Sequence, residues 1–220
     1  MAAPSTALTI AGSDSGGGAG IQADLKTFLG CGVHGMSAVT AVTVQNSIGV
    51  SGFYELPPHA VAEQIESVVT DIGVGAAKTG MLASAAIMAA VAEAVRRLAV
   101  APLVVDPVAA SQHGDPLLRP DAIDALRTRI IPLATLVTPN VGEVRLLTGV
   151  EVSGPEDALE AARRLHVLGA DWVLVKGGHR SGPDAIDLNR DHRKPDLRAA
   201  RSHGLTSTGR WFPTDTGPLR

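Results

Sequence analysis

The chain is poor in the features that mark disulfide-bonded, membrane-spanning or nucleic-acid-binding proteins. Its one cysteine, Cys31, can form neither a disulfide nor a cysteine-based metal site within a single chain, which favours a reducing, cytoplasmic location. No apolar run reaches the ~18 residues of a membrane helix, and Met1 to Thr6 lack the basic and apolar segments of a signal peptide. The net charge of −3 gives no general basic surface for nucleic acid. We therefore expect neither a membrane nor a nucleic-acid partner.

Apolar residues make up 45% of the sequence, and Ala, Val and Leu dominate them, as is typical of buried parallel strands covered by helices. Their periodicity predicts strands at 8–10, 36–44, 51–56, 76–79, 103–106, 136–138 and 172–176. It predicts helices at 21–29, 59–71, 85–98, 121–131, 141–147 and 155–168. Ser84 is a candidate N-cap of the third helix. Because strands alternate with helices, we predict an α/β fold with a mainly parallel central sheet flanked by helices.

Polar or glycine-rich segments follow most of the predicted strands. In an open α/β sheet, ligands bind outside the carboxyl ends of the strands, so these segments are the candidate site. They are residues 12–20, 45–46, 80–81, 106–108, 139–140 and 176–178.

The densest of these segments, residues 11–24, reads A-G-S-D-S-G-G-G-A-G-I-Q-A-D. Its glycines allow a ligand to approach the backbone, and the helix that follows is expected to offer unpaired N–H groups. Asp24 lies one helical turn further on, where a carboxylate could accept bonds from a polar ring or an amine. The spacing fits neither the dinucleotide fingerprint nor the P-loop, and a plain flexible glycine turn is the alternative interpretation.

Charged residues follow three later strands. Asp106 in V-V-D-P-V and Glu143 in T-P-N-V-G-E carry the oxygen ligands that Mg²⁺ prefers, with Asn140 nearby in sequence. Taken singly, the first also fits a turn-forming Asp-Pro, and the second fits a carboxylate favoured by a helix dipole. Lys176 ends an apolar strand before Gly-Gly-His, and a lone lysine at such a place is usually solvated.

The string G-S-D-S-G-G-G-A-G-I-Q-A-D-L-K-T closely resembles the opening of the hydroxymethylpyrimidine and phosphomethylpyrimidine kinases of thiamine biosynthesis, in the ribokinase superfamily. Further matches continue to about Gly178. The resemblance implies a ribokinase-like fold and ATP- and Mg²⁺-dependent phosphoryl transfer. It implies a small-molecule pyrimidine as the acceptor, phosphorylated on its hydroxymethyl oxygen and then on the resulting monophosphate. It also implies a homodimer.

The same resemblance implies roles for individual residues. The pyrimidine-binding residues would be Gln45, Asp24, Gly12, Met81 and Val108. A glutamine side chain can pair with an aminopyrimidine edge, and a methionine can form a soft wall against a flat ring. From the residues alone, the methionine and the valine would be assigned to the core. Mg²⁺ would be held by Asp106 and Glu143, and the phosphates would be contacted by Lys176 and Asn140.

The resemblance ends before the last part of the chain, so we predict an incomplete kinase domain at 1–179 and an atypical, poorly ordered tail at 180–220. The family's G-T-G-C or G-T-G-D motif, which supplies an anion hole and the catalytic base, is not found. Cys31 does not match that motif, so no base is assigned. The fold is expected to lack the family's last elements. The tail could be an altered reading of a coding region, a degenerated kinase end, or a basic tail with its own partner.

Two alternatives to a hydroxymethylpyrimidine kinase stay open at this point. One is a pyridoxal-type kinase, because a related pocket accepts vitamin B6. The other is a non-catalytic remnant that binds a pyrimidine or a nucleotide, because the motif that carries the base is missing.

Overall fold

The computed structural model describes residues 4–109, 118, 120–176, 186–191 and 197–201. In these residues, nine strands form one sheet in the order β3-β2-β1-β4-β5-β6-β7-β8-β9. The strands are β1 (Thr6–Ser13), β2 (His34–Gln45), β3 (Val50–Glu55), β4 (Ala76–Thr79), β5 (Leu103–Val105), β6 (Leu136–Val137), β7 (Trp172–Val175), β8 (Ile186–Asp191) and β9 (Leu197–Arg201). The helices are α1 (Gly20–Gly30), α2 (Pro58–Asp71), α3 (Ala85–Arg97), α4 (Pro120–Ala125), α5 (Val141–Thr148) and α6 (Pro155–Val167).

The predicted α/β fold with a mainly parallel sheet is confirmed. Strands β2, β1, β4, β5, β6 and β7 pair in parallel, and β3 joins the edge of β2 in antiparallel pairing. Leu8 and Ile10 of β1 are fully buried, as are Val105 and Val137 of the central strands. They belong to one hydrophobic core that also includes Ile87 of α3. Burial of these short apolar strands between helices explains why their sequence lacks strict alternation.

The segment predicted as one helix at 121–131 is interrupted. Regular α-helix ends at Ala125, and a π-helical turn follows over Leu126–Ile130 before a short 3₁₀ turn at Ile131–Leu133. Pro132 lies in that last turn and cannot donate a backbone hydrogen bond, which prevents the regular helix from continuing. Ser84 does stand at the N-cap of α3, but its side chain makes no capping hydrogen bond.

Two strands that the sequence analysis does not anticipate lie within residues 180–220. Strand β8 pairs with β7 in antiparallel fashion, with Trp172 opposite Asp191, and β9 pairs with β8 in the same way. The glycines and the histidine after Lys176 lie outside the described residues. The division of the chain at residue 179 stays a prediction.

None of the helices in the described part of the chain is long and apolar enough to cross a membrane.

Gly20 begins α1 with a positive φ of 55°, and a Cβ at this position would collide with the carbonyl oxygen of Gly12. We expect Gly20→Ala to destabilise the protein through both backbone strain and this collision. Gly32 has a φ of 70° but open space around it, so Gly32→Ala is a matched control for strain alone. The control should lose about 1–2 kcal/mol of unfolding free energy. Gly20→Ala should lose at least about 1 kcal/mol more, because of overpacking.

Urea unfolding of the two variants measures this difference. Equal losses would show that the close approach of α1 to the end of β1 does not constrain position 20.

Candidate functional site

A row of backbone hydrogen bonds continues past the carboxyl ends of the parallel strands. The N–H of Gly80 donates to the carbonyl of Ile10 at 3.0 Å, and the N–H of Asp106 donates to Thr79 at 3.0 Å. On the other side of the sheet centre, the N–H of Lys176 donates to Pro139 at 2.8 Å. Because each strand end is tied to its neighbour, the side chains that follow the strands lie along one edge of the sheet. This is the edge where the sequence places the candidate site.

The glycine loop after β1 is built around the carboxylate of Asp14, which is 5% exposed. One carboxylate oxygen accepts from the N–H of Gly16 at 2.8 Å, and the other accepts from Gly18 at 2.9 Å and Ala19 at 2.8 Å. These three amides precede α1 and are paired within the loop, and the expectation about the N–H groups of the helix itself stays a prediction. The chain's own carboxylate occupies the position that an anionic ligand would take.

Further bonds fix the loop against β2. The hydroxyl of Ser15 donates to the carbonyl of Gln45 at 2.6 Å and accepts from its N–H at 2.9 Å. The hydroxyl of Thr43 donates to the carbonyl of Ser13 at 2.8 Å and lies 3.3 Å from Oε1 of Gln45. These bonds fix the loop against the end of β2, and the half-buried Gln45 is held beside it.

Met81 and Gly12 are brought together at the ends of β4 and β1. A Cβ at Gly12 would lie 3.4 Å from the sulfur of Met81, an ordinary van der Waals distance, so the two residues are close neighbours. The carbonyl of Met81 accepts from the hydroxyl of Thr40 at 2.7 Å, which fixes the methionine backbone next to β2. Met81 is 8% exposed and part of the core, and its predicted contact with a ring stays a prediction.

Asp24 does not stand alone. Its carboxylate accepts from Lys78 at 2.9 and 3.0 Å, one bond to each oxygen, and from the hydroxyl of Thr9 at 2.6 Å. The side chains of Lys78 and Asp24 are 24% and 18% exposed, so this is a half-buried ion pair. Its predicted contact with the pyrimidine remains a prediction.

The predicted phosphate and metal residues form a second cluster. The ammonium of Lys176 donates to a carboxylate oxygen of Asp106 at 2.8 Å, and the side chains are 37% and 26% exposed. Asn140 lies beside Lys176 through an isolated parallel bridge that extends β6 and β7. The lysine that the sequence analysis considered as a solvated side chain is therefore paired across the strand ends.

Glu143 closes this cluster from the first turn of α5. Its side chain accepts from the N–H of Asn140 at 2.8 Å, while the side chain of Asn140 accepts from the N–H of Glu143 at 2.9 Å. This reciprocal capping box begins the helix and buries the carboxyl group. Burial raises the pKa of Glu143 to about 6, opposed by the Asn140 N–H and by the positive charge of Lys176. The neighbouring charge of Asp106 raises the same pKa further.

These residues fit a magnesium ion only in the mode that uses few protein ligands. The described residues contain no group of three or more His, Cys, Asp or Glu side chains that could hold a metal ion. Asp106 and Glu143 nevertheless supply two carboxylates, and they are close enough for the charge of Asp106 to raise the pKa of Glu143. Mg²⁺ is commonly bound by one or two carboxylates, with water and substrate phosphates completing its shell, and the donor set suits that mode.

Two further residues named in the sequence analysis, Val108 and Cys31, remain to be placed. Val108 is half-buried, packs against the hydrophobic core and donates its N–H to the carbonyl of Asp106 at 2.9 Å. It lies two residues after Asp106 in sequence, and no described hydrogen bond or ion pair joins its side chain to another candidate residue. The exposed Cys31 lies between α1 and β2, at the amino ends of the strands, which agrees with its exclusion as a base.

Three residues with structural roles at the site were missed by the sequence analysis, and each had a signal. Asp14 follows a strand and precedes three glycines, a pattern typical of a side chain that bonds nearby backbone amides. Lys78 stands inside a short apolar strand, where a charge requires a partner. Thr9 is a hydroxyl within the most buried strand, which requires a hydrogen bond for the same reason.

We expect Asp14→Ala to lower the unfolding free energy by about 2 kcal/mol or more, because three amides lose a charged acceptor. Asp14→Asn should lose less, since its one remaining oxygen can serve part of the loop. Hydrogen exchange should show lost protection at the amides of Gly16, Gly18 and Ala19. Asp71→Ala, at an exposed position at the end of α2, is the control and should stay within about 0.5 kcal/mol of the parent. Destabilisation without faster exchange at the three amides would contradict this role of Asp14.

The raised pKa of Glu143 predicts how stability changes with pH. The Glu143 carboxyl keeps its proton to higher pH in the folded state than in the unfolded chain. The protonated carboxyl therefore adds to the unfolding free energy. This contribution is fully present below pH 4.5 and is lost as the pH rises through about 6. A pKa change from 4.5 to about 6 corresponds to about 2 kcal/mol. Glu143→Gln keeps the capping box and removes the titration.

Urea unfolding with EDTA between about pH 4 and about pH 7 should therefore show the parent losing stability relative to Glu143→Gln. Parallel curves for the two proteins would show that burial does not raise this pKa.

The sequence of this chain is similar to those of known kinases. A family model described as phosphomethylpyrimidine kinase matches residues 14–208. A hydroxymethylpyrimidine/phosphomethylpyrimidine kinase of Mycobacterium leprae is 61% identical over 187 residues, which cover 84% of this chain and 67% of that protein.

Solved structures agree in fold. The phosphomethylpyrimidine kinase of Clostridium difficile 630 matches with a TM-score of 0.83 at 40% identity, over 93% of this chain and 87% of that one. An ADP complex of Bacillus subtilis pyridoxal kinase matches with a TM-score of 0.80 at 36% identity, over 91% and 75% of the two chains. These matches confirm the predicted ribokinase-like fold. The chain therefore belongs to the phosphomethylpyrimidine kinase family, a family of phosphotransferases.

Proposed function

We propose that the cleft binds 4-amino-5-hydroxymethyl-2-methylpyrimidine and ATP, and that it serves phosphorylation of the hydroxymethyl oxygen and then of the resulting monophosphate. The observation that supports this most directly is the convergence of two chemically different clusters on one edge of the sheet. Gly12 and Met81 lie together at the ends of β1 and β4, and Gln45 lies at the end of β2 beside the glycine loop. Lys176 and Asp106 form a charged surface at the ends of β7 and β5. A flat, neutral ring suits the first cluster, and phosphates suit the second.

At the ring end, Gln45 contributes a donor and an acceptor on one amide, which matches the alternating edge of an aminopyrimidine. Its backbone is held by Ser15, so the side chain leaves from a fixed position. Met81 and Val108 form the apolar walls, and Asp24 is available as an acceptor. Gly12 has no side chain between its backbone and the ring, and it lies next to the methionine sulfur.

At the phosphate end, Lys176 and Asn140 contact the phosphates, and Asp106 and Glu143 hold Mg²⁺ through water. When bound, Mg²⁺ neutralises part of the negative charge on the phosphates. The ammonium of Lys176 has three donors and uses one for Asp106, so it can stabilise the transferring phosphoryl group without leaving its partner. The ion pair also orients the lysine before ATP arrives.

We expect the 220-residue chain to show little or no turnover. The reaction needs a base for the hydroxyl proton and an anion hole for the transferred group, and the sequence contains no G-T-G-C or G-T-G-D motif that would supply them. Binding and turnover are therefore separate questions for this protein.

A pyridoxal-type kinase is the second candidate function, because the matched Bacillus subtilis structure is a pyridoxal kinase that binds ADP. The curated relative at 61% identity is instead a hydroxymethylpyrimidine/phosphomethylpyrimidine kinase, which favours the pyrimidine. A strong preference for pyridoxal over the pyrimidine would overturn this ranking. The homodimer and the cytoplasmic location stay predictions from the resemblance and the composition.

Calorimetric titration of the 220-residue protein with the hydroxymethylpyrimidine, followed by an assay with ATP and Mg²⁺ on the same sample, tests the proposal. We expect saturable binding and little turnover. Gln45→Ala should weaken binding by about tenfold, the cost of losing one or two hydrogen bonds. Ser47→Ala, in the exposed turn that follows β2, is the matched control and should bind like the parent.

Absence of binding in a protein that melts cooperatively would overturn the proposed ligand. Near-normal turnover would show that the chain contains a base outside the family motif.

A further inference from the structure

Lys78 forms an ion pair with Asp24, and the proposed function gives a role to Asp24 but none to this lysine. The pair joins β4 to α1 across 54 residues of sequence, and both oxygens of Asp24 accept from the same ammonium. Lys78 and Thr9 are register partners in adjacent parallel strands, so their side chains extend from the same face of the sheet toward α1. Thr9, which is fully buried, donates the third bond to Asp24.

The ammonium of this pair lies near the end of β4, where the chain continues into Gly80 and Met81. A Cβ at Gly80 would lie 3.3 Å from Nζ of Lys78 and 3.0 Å from the Cβ of Ala11. Gly80 directly precedes Met81, whose sulfur lies next to Gly12. The lysine head group therefore lies near the carboxyl end of the sheet, next to Gly80, whose sequence neighbour Met81 is one of the predicted ring residues.

Counting acceptor sites shows what the pair leaves for a ligand. An ionised carboxylate has about four acceptor positions. In Asp24, Oδ2 accepts from both Thr9 and Lys78, while Oδ1 accepts from Lys78 only. Among the described residues, one acceptor position on Oδ1 is left without a donor. The carboxylate charge is already balanced by the ammonium, so a charged ligand group is not needed to compensate it.

We propose that Lys78, with Thr9, is a positioning residue that fixes Asp24 so that a single acceptor on Oδ1 faces the ligand. Asp24 then selects an uncharged ligand group that donates one hydrogen bond, and it disfavours an anionic or acceptor group at that place. The inference rests on the proposed function, because it takes the pyrimidine as the ligand. It goes beyond it by assigning a role to two residues that touch Asp24 and not the substrate.

The test measures the dissociation constant of the hydroxymethylpyrimidine by calorimetry for the full 220-residue chain and its variants. Lys78→Met removes the cation at similar length and should raise the dissociation constant by at least about tenfold. Lys78→Arg should have a dissociation constant within about threefold of the parent's, because a guanidinium can also donate to both oxygens of Asp24. Thr9→Val, which removes one neutral donor at similar volume, should raise it by about two- to fivefold.

A double variant separates positioning from direct contact. If Lys78 acts through Asp24, then Lys78→Met added to Asp24→Asn should change the dissociation constant by less than about twofold. This double variant also removes both charges, so it folds even where Lys78→Met alone leaves an uncompensated carboxylate. Arg97→Met breaks the exposed bidentate pair with Glu66 at 2.9 Å and is the matched control, expected to bind like the parent.

The outcomes separate this inference from the function on which it rests. No binding by the parent protein would overturn both. Binding by the parent that Lys78→Met and Thr9→Val leave unchanged, with only their melting temperatures lowered, would make the pair purely structural and overturn the inference alone. Full additivity of Lys78→Met and Asp24→Asn would also overturn it.

Discussion

The backbone hydrogen bonds that tie each strand end to the next determine where the candidate residues that follow the strands lie. Without the bond from Asp106 to Thr79 and the bond from Lys176 to Pro139, the charged side chains of β5 and β7 would leave the sheet independently. The bond from Gly80 to Ile10 does the same for Met81 and the glycine loop. A parallel sheet can do this because all its carboxyl ends lie at one edge. The position of the candidate site therefore follows from the register of the parallel strands.

Charge is balanced along this edge before any ligand arrives. Lys78 is paired with Asp24, and Lys176 is paired with Asp106, so neither lysine is an isolated cation. The two pairs differ in their surroundings, because Asp24 also accepts from the buried Thr9, whereas Asp106 lies near the buried carboxyl of Glu143. The carboxylate of Asp24 accepts three hydrogen bonds, which hold it in one orientation, and a fixed acceptor suits the recognition of a ring. A second carboxylate nearby suits the more negative and metal-dependent chemistry of phosphates.

The fold could be predicted from the sequence because each of its strands from β1 to β7 carries a local apolar signal, and because the strand-end rule gives the site edge directly. Partners could not be predicted in the same way. That Lys78 meets Asp24 depends on which strands are neighbours in the sheet, and no local pattern specifies it. Strands β8 and β9 were missed for a related reason, since pairing onto β7 is a tertiary event in a segment of weak apolar pattern. Asp14 was within reach, because its pattern is local.

The role of Asp14 bears on how a nucleotide would be oriented in the cleft. In phosphate-binding glycine loops, successive backbone N–H groups surround an anion. Here a buried carboxylate of the chain already occupies three such amides, so a phosphate could use them only by displacing it. A phosphate that leaves this carboxylate in place would need other donors, and within the described residues Lys176 uses one of its three for Asp106. The proposed ring site beside the loop and the proposed phosphate site beside β7 agree with these contacts, and transfer would run along the row of strand ends between them.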